Sequence, residues 1–176
     1  LLALKSIDTV EAVALGGSRS TGASDENSDY DIYVYCAEIP TAETRENLLE
    51  KYCSIAEFGN HYWESEDNTV MNNGIPVDII YREVDRFGRY IDTEIKGGKA
   101  LNSYTTAFWH NIKNSKVLFD KTGSFTKFRD MAQIDFPENL RSAIIKNNRN
   151  LLNGKLPSYD RQIKKAQERG DIVSVN

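Results

Sequence analysis

Three aspartates in this 176-residue sequence have the residue type and spacing that chemistry with a divalent cation requires. Asp29 and Asp31 are separated by one residue at the entrance to the apolar run 32–35, and Asp78 interrupts a second apolar run, 76–81. Residues i and i+2 of a strand point to the same face, so a strand here brings Asp29 and Asp31 together. Two neighbouring carboxylates repel unless a cation lies between them, and hard oxygen ligands favour Mg²⁺. A third carboxylate on a neighbouring strand can complete a site for two ions roughly 3.5 to 4 Å apart.

A glycine turn precedes the acids. The first apolar segment ends in Gly16-Gly17-Ser18-Arg19, and Ser18 precedes Asp29 by eleven residues. Glycines let the backbone approach a polyphosphate closely, and the start of a following helix offers free N–H groups and a positive dipole end. Ser18 adds a hydroxyl donor, and Arg19 adds charge, although its direction, towards phosphates or towards solvent, stays open. Turn and acids together predict a site that holds a nucleoside triphosphate on metal ions.

Each part of this pattern also has a simpler explanation. A Gly-Gly-Ser sequence after an apolar segment is ordinarily just a turn, and an isolated Asp-x-Asp is more often a solvated turn. Asp78 carries the most information, because burying an acid between Val77 and Ile79 without a partner is costly. A place on a solvated strand face explains Asp78 equally well. The order and spacing of all three parts favour the functional interpretation.

The same residues resemble a known family. Leu15-Gly16-Gly17-Ser18, then Ser28-Asp29-Tyr30-Asp31-Ile32, then Asp78 is similar to the pattern of the nucleotidyltransferase superfamily, which includes DNA polymerase β and the antibiotic nucleotidyltransferases. The resemblance covers residues 14–81, and the string 14–22 looks more like the bacterial small-molecule transferases and their uncharacterised relatives than like the polymerases.

The resemblance implies a role for each matched residue. It implies that Asp29, Asp31 and Asp78 hold the metal ions, with Asp78 also the candidate general base. The nucleotide-binding candidates are Gly17, Ser18, Arg19 and Ser28. We therefore expect two Mg²⁺ ions as cofactors and a nucleoside triphosphate as substrate.

The implied reaction is metal-dependent transfer of a nucleoside monophosphate, with AMP expected first, to a hydroxyl of a small molecule. An aminoglycoside or a lincosamide is the leading expectation for the acceptor, and pyrophosphate is the second product. Two alternatives stay open: nucleotidylation of a protein or an RNA end, and a nucleotide-binding module that has lost catalysis. The sequence does not show the acceptor, the nucleobase preference or the oligomeric state.

Length, charge and cysteine spacing limit the size of the domain and the classes of partner that we expect. The length suits one domain or a domain with a small appendage, and a chain of this size can bury about 70% of the surface that it exposes when unfolded. The net charge of −4 provides no basic footprint for nucleic acid. Cys36 and Cys53 lack metal-ligand spacing, so we interpret both as reduced core residues. No secretory signal and no apolar run near ~18 residues is present, so we expect a cytoplasmic protein without a membrane partner.

The periodicity predicts an α+β fold: a mixed nucleotidyltransferase-type sheet flanked by helices, then a helical C-terminal part. We expect a nucleotidyltransferase core at 1–83 and a mainly helical region at 84–176. The predicted elements are strands at 10–15, 29–36 and around Asp78, an extended piece at 116–120, and helices at 18–22, 41–56, 104–115, 124–134, 137–153 and 158–169. Residues 57–66 and 69–72 are ambiguous, Asn72-Asn73-Gly74 predicts a hairpin turn, and Gly97-Gly98 ends the helical pattern that starts at Val84.

The helical region is expected to supply the acceptor side. Five aromatic or imidazole residues are candidates for the wall of an acceptor pocket: Tyr62, Trp63, Tyr104, Trp109 and His110. Aromatic residues at helical spacing are more often core residues than ligand contacts. His61 and His110 are expected to be structural or surface residues. Residues 171–176 end without a stop signal, and the helical part is shorter than the bundle of longer relatives, so we expect a truncated version.

Overall fold

The structure is a computed structural model that describes residues 1–26, 28–101, 105–153 and 158–171. Its strands are β1 (Val10–Leu15), β2 (Tyr30–Cys36), β3 (Cys53–Asn60), β4 (Ser65–Met71), β5 (Pro76–Glu83) and β6 (Lys116–Asp120). Its helices are α1 (Leu2–Lys5), α2 (Gly17–Thr21), α3 (Ala42–Leu49), α4 (Val84–Tyr90), α5 (Ala107–Asn114), α6 (Ser124–Ala132), α7 (Glu138–Asn153) and α8 (Tyr159–Glu168). A 3₁₀ turn, Glu50–Tyr52, follows α3, and a π-helical turn, Ile91–Lys96, follows α4.

Within the described residues, six strands form one mixed sheet in the order β3-β4-β5-β2-β1-β6. The central neighbours β2 and β5 are parallel, and the other neighbours are antiparallel. The predicted hairpin turn is confirmed, since Gly74 takes a φ of +80° and its N–H donates to the carbonyl of Met71 at 2.8 Å. The expected α+β fold with a mixed sheet and flanking helices is confirmed.

The two faces of the sheet are packed differently. The core face is the side of β2 and β5 that carries Val34 and Ile79, and it is covered by Leu4 of α1 and Leu49 of α3. The opposite side, here called the acid face, carries Asp31 and Asp78. Farther along the acid face, aromatic rings from β2, α4, α5 and α6 pack at centroid distances of 5.1–6.0 Å: Tyr35, Phe87, Tyr90, Phe108, Phe125 and Phe128. Alternation along each strand therefore separates the core face from the acid face, and on the acid face the acids lie at one end of β2 and the aromatic rings at the other.

One predicted helix is wrong in its second half. The expected helix at 41–56 ends at Leu49, and Cys53 and Ala56 belong to β3. The helix starts as expected, because the Thr41 hydroxyl accepts from the N–H of Thr44 at 3.2 Å. Beyond Leu49 the backbone pairs with β4, where Ala56 lies opposite Thr69, and this non-local pairing outweighs the helical spacing. Of the ambiguous residues 57–66 and 69–72, 57–60 belong to β3, 61–64 connect β3 to β4, 65–66 and 69–71 belong to β4, and 72 lies in the turn after it.

The C-terminal half contributes to the sheet as well as to helices. Strand β6 pairs antiparallel with β1, so the extended piece expected at 116–120 is an edge strand of the sheet within the mainly helical region. Contacts group Leu1–Ile91 with Ala107–Ile134 in one compact unit, which differs from the expected division after residue 83. Within this unit, the Trp109 Nε1–H donates to the carbonyl of Ala132 at 2.8 Å and joins α5 to α6. As a statement about domains, the boundary stays a prediction.

The second compact unit, taken by itself, comprises Asp92–Thr106 and Asp135–Asn176. The Asn147 amide of α7 donates to the carbonyl of Ala100 at 3.0 Å, and Ser158 caps α8. Tyr104 and residues 172–176, which entered the predictions, lie outside the described residues. Among helices in the described part of the chain, none has the length and apolar character to cross a membrane.

Candidate active site

The acids on the two parallel central strands are neighbours. In the β2/β5 register Asp31 lies directly opposite Asp78, and Tyr30 lies opposite Val77. Adjacent strands are about 4.8 Å apart, and paired residues of a parallel ladder point to the same face. Two carboxylates that are 47 positions apart in the sequence are therefore side by side on the acid face.

Asp29 completes the group from the segment before β2. The strand begins at Tyr30, so Asp29 lies one residue outside it rather than within it as expected. The pKa of the Asp31 carboxyl is raised by burial first, then by the negative charges of Asp29 and Asp78. Asp29 and Asp78 are thus both close enough to act electrostatically on Asp31.

The glycine turn lies directly against Asp31. Gly16 N–H donates to the Asp31 carbonyl at 2.9 Å, and a Cβ on Gly16 would overlap the Tyr33 ring. Gly17 has a φ of +60°, and a Cβ there would overlap Asp31 Oδ2. A Cβ at either position would overlap a neighbouring side chain, the Tyr33 ring at Gly16 and the Asp31 carboxylate at Gly17, which explains both glycines. The helix that follows has five residues, so its dipole is small and the turn itself is the feature that faces the acids.

Arg19 and Ser28 have partners of their own in the structure. The Arg19 guanidinium donates to the backbone carbonyls of Ser28 and Asp29, with Nε at 3.0 Å from each, and lies 4.2 Å from the centre of the Tyr30 ring. The Ser28 hydroxyl bonds Asp25. Arg19 therefore joins α2 to the segment that carries Asp29, and the predicted phosphate contacts of Arg19, Ser28 and Ser18 stay predictions.

A polar partner of Asp78 was missed by the sequence analysis. In β4, Asn68 lies opposite Asp78, and its Nδ2 donates to Asp78 Oδ1 at 2.9 Å. Glu66 lies on the same face, and its pKa is raised by burial and then by the charge of Asp78. No sequence pattern pointed to Asn68, because its register against Asp78 is set by the β4–β5 pairing and the segments on either side of it, 57–66 and 69–72, were ambiguous.

A buried cation supports the acid face without neutralising it. Arg82, which is 3% exposed, makes a two-pronged ion pair with Glu64 at 2.9 and 2.7 Å and stacks over the Tyr33 ring at 4.1 Å. Tyr33 accepts at its hydroxyl from Asn111 Nδ2 at 2.9 Å, and burial raises the Tyr33 pKa to about 12. The charge of Arg82 is taken up by Glu64, so Asp31 keeps its negative neighbours.

The carboxylates of Asp29, Asp31 and Asp78 are the ligand type that a hard divalent cation prefers. The acids present carboxylate oxygens, and the charges of Asp29 and Asp78 add to burial in raising the pKa of Asp31. Across the part of the chain that the structure describes, no three His, Cys, Asp or Glu side chains already lie at metal-binding separation. The fit is therefore one of ligand type and charge, and Asp29, Asp31 and Asp78 as metal ligands stay a prediction.

The described aromatic and imidazole candidates for the acceptor pocket are either buried in helix packing or exposed at the surface. Trp109 is buried in the α5/α6 packing, as expected for a core residue. Tyr62 and Trp63 are 70% and 78% exposed beside the β3–β4 connection, and His61 and His110 are exposed. An acceptor pocket made by these residues stays a prediction.

Comparison with known proteins identifies the family. A model described as "Nucleotidyltransferase domain" matches residues 1–101, more than half of the chain. The chain belongs to this nucleotidyltransferase domain family, as the motif resemblance implied. No match was found among curated proteins.

Two solved structures match this chain at low identity and low TM-score. A nucleotidyltransferase-like protein from Exiguobacterium sibiricum shares 10% identity over 99% of this chain and 47% of its own, with a TM-score of 0.43. The CD-NTase CdnG of Bradyrhizobium diazoefficiens, solved in complex with GTP, shares 14% identity over 92% of this chain and 67% of its own, with a TM-score of 0.31. The chain thus spans about half the length of the Exiguobacterium protein.

Proposed function

We propose that this chain transfers a nucleoside monophosphate from a nucleoside triphosphate to a hydroxyl group and releases pyrophosphate. The observation that carries the proposal is the paired Asp31 and Asp78 on parallel strands, with the side-chain-free turn at Gly17 against the Asp31 carboxylate. Such a site combines concentrated negative charge with a turn whose backbone no side chain covers at Gly17, which suits a polyphosphate and its cations. Membership of the nucleotidyltransferase domain family supports the reaction class.

In this proposal Asp29, Asp31 and Asp78 bind Mg²⁺, and the backbone at Gly17 and Ser18 contacts the phosphates. The bound cation supplies charge neutralisation at the phosphates and the leaving pyrophosphate. Asp78 accepts the proton of the acceptor hydroxyl. The hydroxyl oxygen bonds to the α-phosphorus, and the bond from that phosphorus to the pyrophosphate oxygen breaks. Arg19 keeps Asp29 near the turn through the two carbonyl contacts.

We further propose AMP as the transferred group and a small hydroxylated molecule, such as an aminoglycoside or a lincosamide, as the acceptor. The support is the likeness of residues 14–22 to the bacterial small-molecule transferases, together with a net charge of −4, which does not favour a nucleic-acid partner. A cytoplasmic location is part of the same proposal.

Pyrophosphate release tests the reaction. The purified protein is incubated with each nucleoside triphosphate, MgCl₂ and a panel of hydroxylated compounds, and pyrophosphate is measured. Asp31→Asn is expected to lower the rate by roughly 10²-fold or more, because it removes a charge that acts in the transition state. Asp8→Asn, an exposed acid before β1, is the matched control and is expected to keep the wild-type rate. Wild-type turnover by Asp31→Asn would contradict the assignment.

Label from an α-labelled triphosphate distinguishes the alternatives. Label on a small compound supports the proposed acceptor class, and label on protein or RNA supports a macromolecular acceptor. Calorimetric binding of ATP with Mg²⁺, without pyrophosphate from any acceptor, supports a module that binds nucleotide but has lost catalysis.

A further inference from the structure

The bond between Asn68 and Asp78 is a notable side-chain contact on the acid face. Asn68 Nδ2 lies 2.9 Å from Asp78 Oδ1, and the two residues are register partners on β4 and β5. The partner that Asp78 receives from β4 is thus a neutral amide. Asparagine is disfavoured in strands, so the sheet gains little from its presence at this position.

The Asn68 amide is held in one orientation by its other neighbour. Asn60 Nδ2 donates to Asn68 Oδ1 at 2.7 Å, and Asn60 Nδ2 also lies 3.4 Å from Glu57 Oε2. Rotating the Asn68 amide by half a turn would bring its oxygen against the Asp78 carboxylate and its NH₂ against the NH₂ of Asn60. Both contacts would be repulsive, so the bond network fixes Asn68 as a donor towards Asp78.

We propose that Asn68 is a positioning residue for Asp78: its amide holds Asp78 Oδ1 and aims Oδ2 at the cation and the acceptor hydroxyl. This inference rests on the proposed function. A neutral amide orients a carboxylate while leaving its full negative charge in place, whereas a lysine or an arginine at position 68 would compete with the cation. The contrast with Arg82 and Glu64, which neutralise each other on the same face, supports this division of roles.

A purely structural role for Asn68 makes a different prediction. If the amide only joined β4 to β5, its removal would lower stability, and activity would fall in proportion to the unfolded fraction. If it orients Asp78, its removal lowers kcat and the affinity for the cation in protein that remains folded. Losses of ten- to a hundred-fold are usual when a partner of a metal ligand is removed.

The experiment compares Asn68→Ala with Asn72→Ala. Asn72 is a matched control, since its amide also donates one hydrogen bond, to the Lys51 carbonyl at 3.0 Å, but from the exposed turn after β4. Four quantities are measured: the midpoint of thermal unfolding, kcat, KM for the nucleotide, and Mn²⁺ affinity by calorimetry with a non-hydrolysable triphosphate. We expect Asn68→Ala to lower kcat and Mn²⁺ affinity about 10- to 100-fold with KM within about threefold, and Asn72→Ala to leave all three within about threefold.

A second variant covers the case in which Asn68→Ala does not fold. Asn68→Leu is close to asparagine in size and adds no charge, but it cannot donate to Asp78, so the same loss of kcat is expected. Either folded variant with kcat and Mn²⁺ affinity within about threefold of wild type overturns the positioning role and leaves the proposed function intact. Wild-type protein that neither binds Mn²⁺ with nucleotide nor releases pyrophosphate overturns the proposed function first, and the positioning role with it.

Discussion

Two aspartates on opposite faces of the same sheet are both withdrawn from solvent, but they differ in the charges that surround them. Asp67, on the core face of β4, is 0% exposed, and Asp31, on the acid face of β2, is half-buried. Burial is the first cause of the raised pKa in both. What differs is the charge nearby: Arg45 lies 3.3 Å from Asp67 Oδ1 and lowers its pKa, whereas Asp29 and Asp78 raise the pKa of Asp31 further.

The comparison separates a structural acid from one available for chemistry. Asp67 receives its compensation from the chain itself, since Arg45 of α3 and the N–H of Gly59 at 2.9 Å both bond Oδ1. Asp31 lies among negative charges, and the buried Arg82 on its face is engaged by Glu64. An acid left with negative neighbours costs stability unless something from outside compensates it, and this is the state expected of a cation site.

Asp67→Asn should have the largest effect on stability. It leaves Arg45, which is 2% exposed, without its anion, and breaking a buried pair in this way costs about 3–5 kcal/mol. The measurement is urea unfolding of the variant against wild type at neutral pH, where the asparagine can still accept from Gly59.

The matched change on the other face is Asp31→Asn, which is expected to reduce activity without comparable destabilisation. If Asp67→Asn unfolds like wild type, or if Asp31→Asn proves equally destabilising, the distinction between the two acids is wrong.

Gly17→Ala should have the next largest effect, and Gly22→Ala is its control. Both glycines have a positive φ, +60° and +79°, so an alanine at either position costs roughly 1–2 kcal/mol of backbone strain. At Gly22 no atom lies within 4 Å of the added Cβ, whereas at Gly17 it overlaps Asp31 Oδ2. By urea unfolding we expect Gly17→Ala to lose at least as much stability as Gly22→Ala, because the overlap adds to the backbone strain, and we expect a loss of pyrophosphate release, ten-fold or more, only for Gly17→Ala.

Wild-type activity in both alanine variants would mean that the closeness of the turn to Asp31 does not matter for the reaction. Loss of activity in both variants would attribute the effect to backbone strain in α2 rather than to contact with the carboxylate.

Local signals in the sequence were sufficient for part of the fold. Strand β1 was predicted with its observed bounds, and the turn at Gly74 carries a residue pattern that few other structures accept. The start of β3 was missed because its sequence does not alternate cleanly: Ile55 is 65% exposed, and pairing with β4 decides its conformation. The pairing of β6 with β1 joins segments a hundred residues apart, which periodicity cannot reveal.

The residues of the candidate site likewise fall into those that the sequence could predict and those that only the tertiary structure reveals. Asp29, Asp31 and Asp78 could be selected by spacing and by the cost of an acid inside an apolar run. Asn68 could not, because its meaning depends on the register that sets it opposite Asp78. The direction of Arg19, left open by the sequence, is given by two backbone carbonyls, and backbone atoms leave no trace in a residue pattern.

The smallest expected effect is a change in the pH dependence of stability when Asp31 is replaced. It is the most direct test of the difference in nearby charge between Asp31 and Asp67. The folded pKa of Asp31 lies above that of the unfolded chain, about 3.9 for an aspartate. Below that value the carboxyl is protonated in both states and costs nothing. As pH rises towards the raised pKa, the unfolded chain ionises first, so the fold loses stability, and above the raised pKa the loss is complete.

Asp31→Asn should therefore unfold at the same temperature as wild type in acid and at a slightly higher temperature at neutral pH. Asp67 titrates in both proteins and cancels in the difference, and Asp8→Asn controls for the removal of an acid as such. Adding MgCl₂ at neutral pH should raise the wild-type midpoint and move that of Asp31→Asn less, because binding to the folded state alone stabilises it. Equal magnesium shifts in the two proteins would mean that the negative charge around Asp31 is not the charge that the cation compensates.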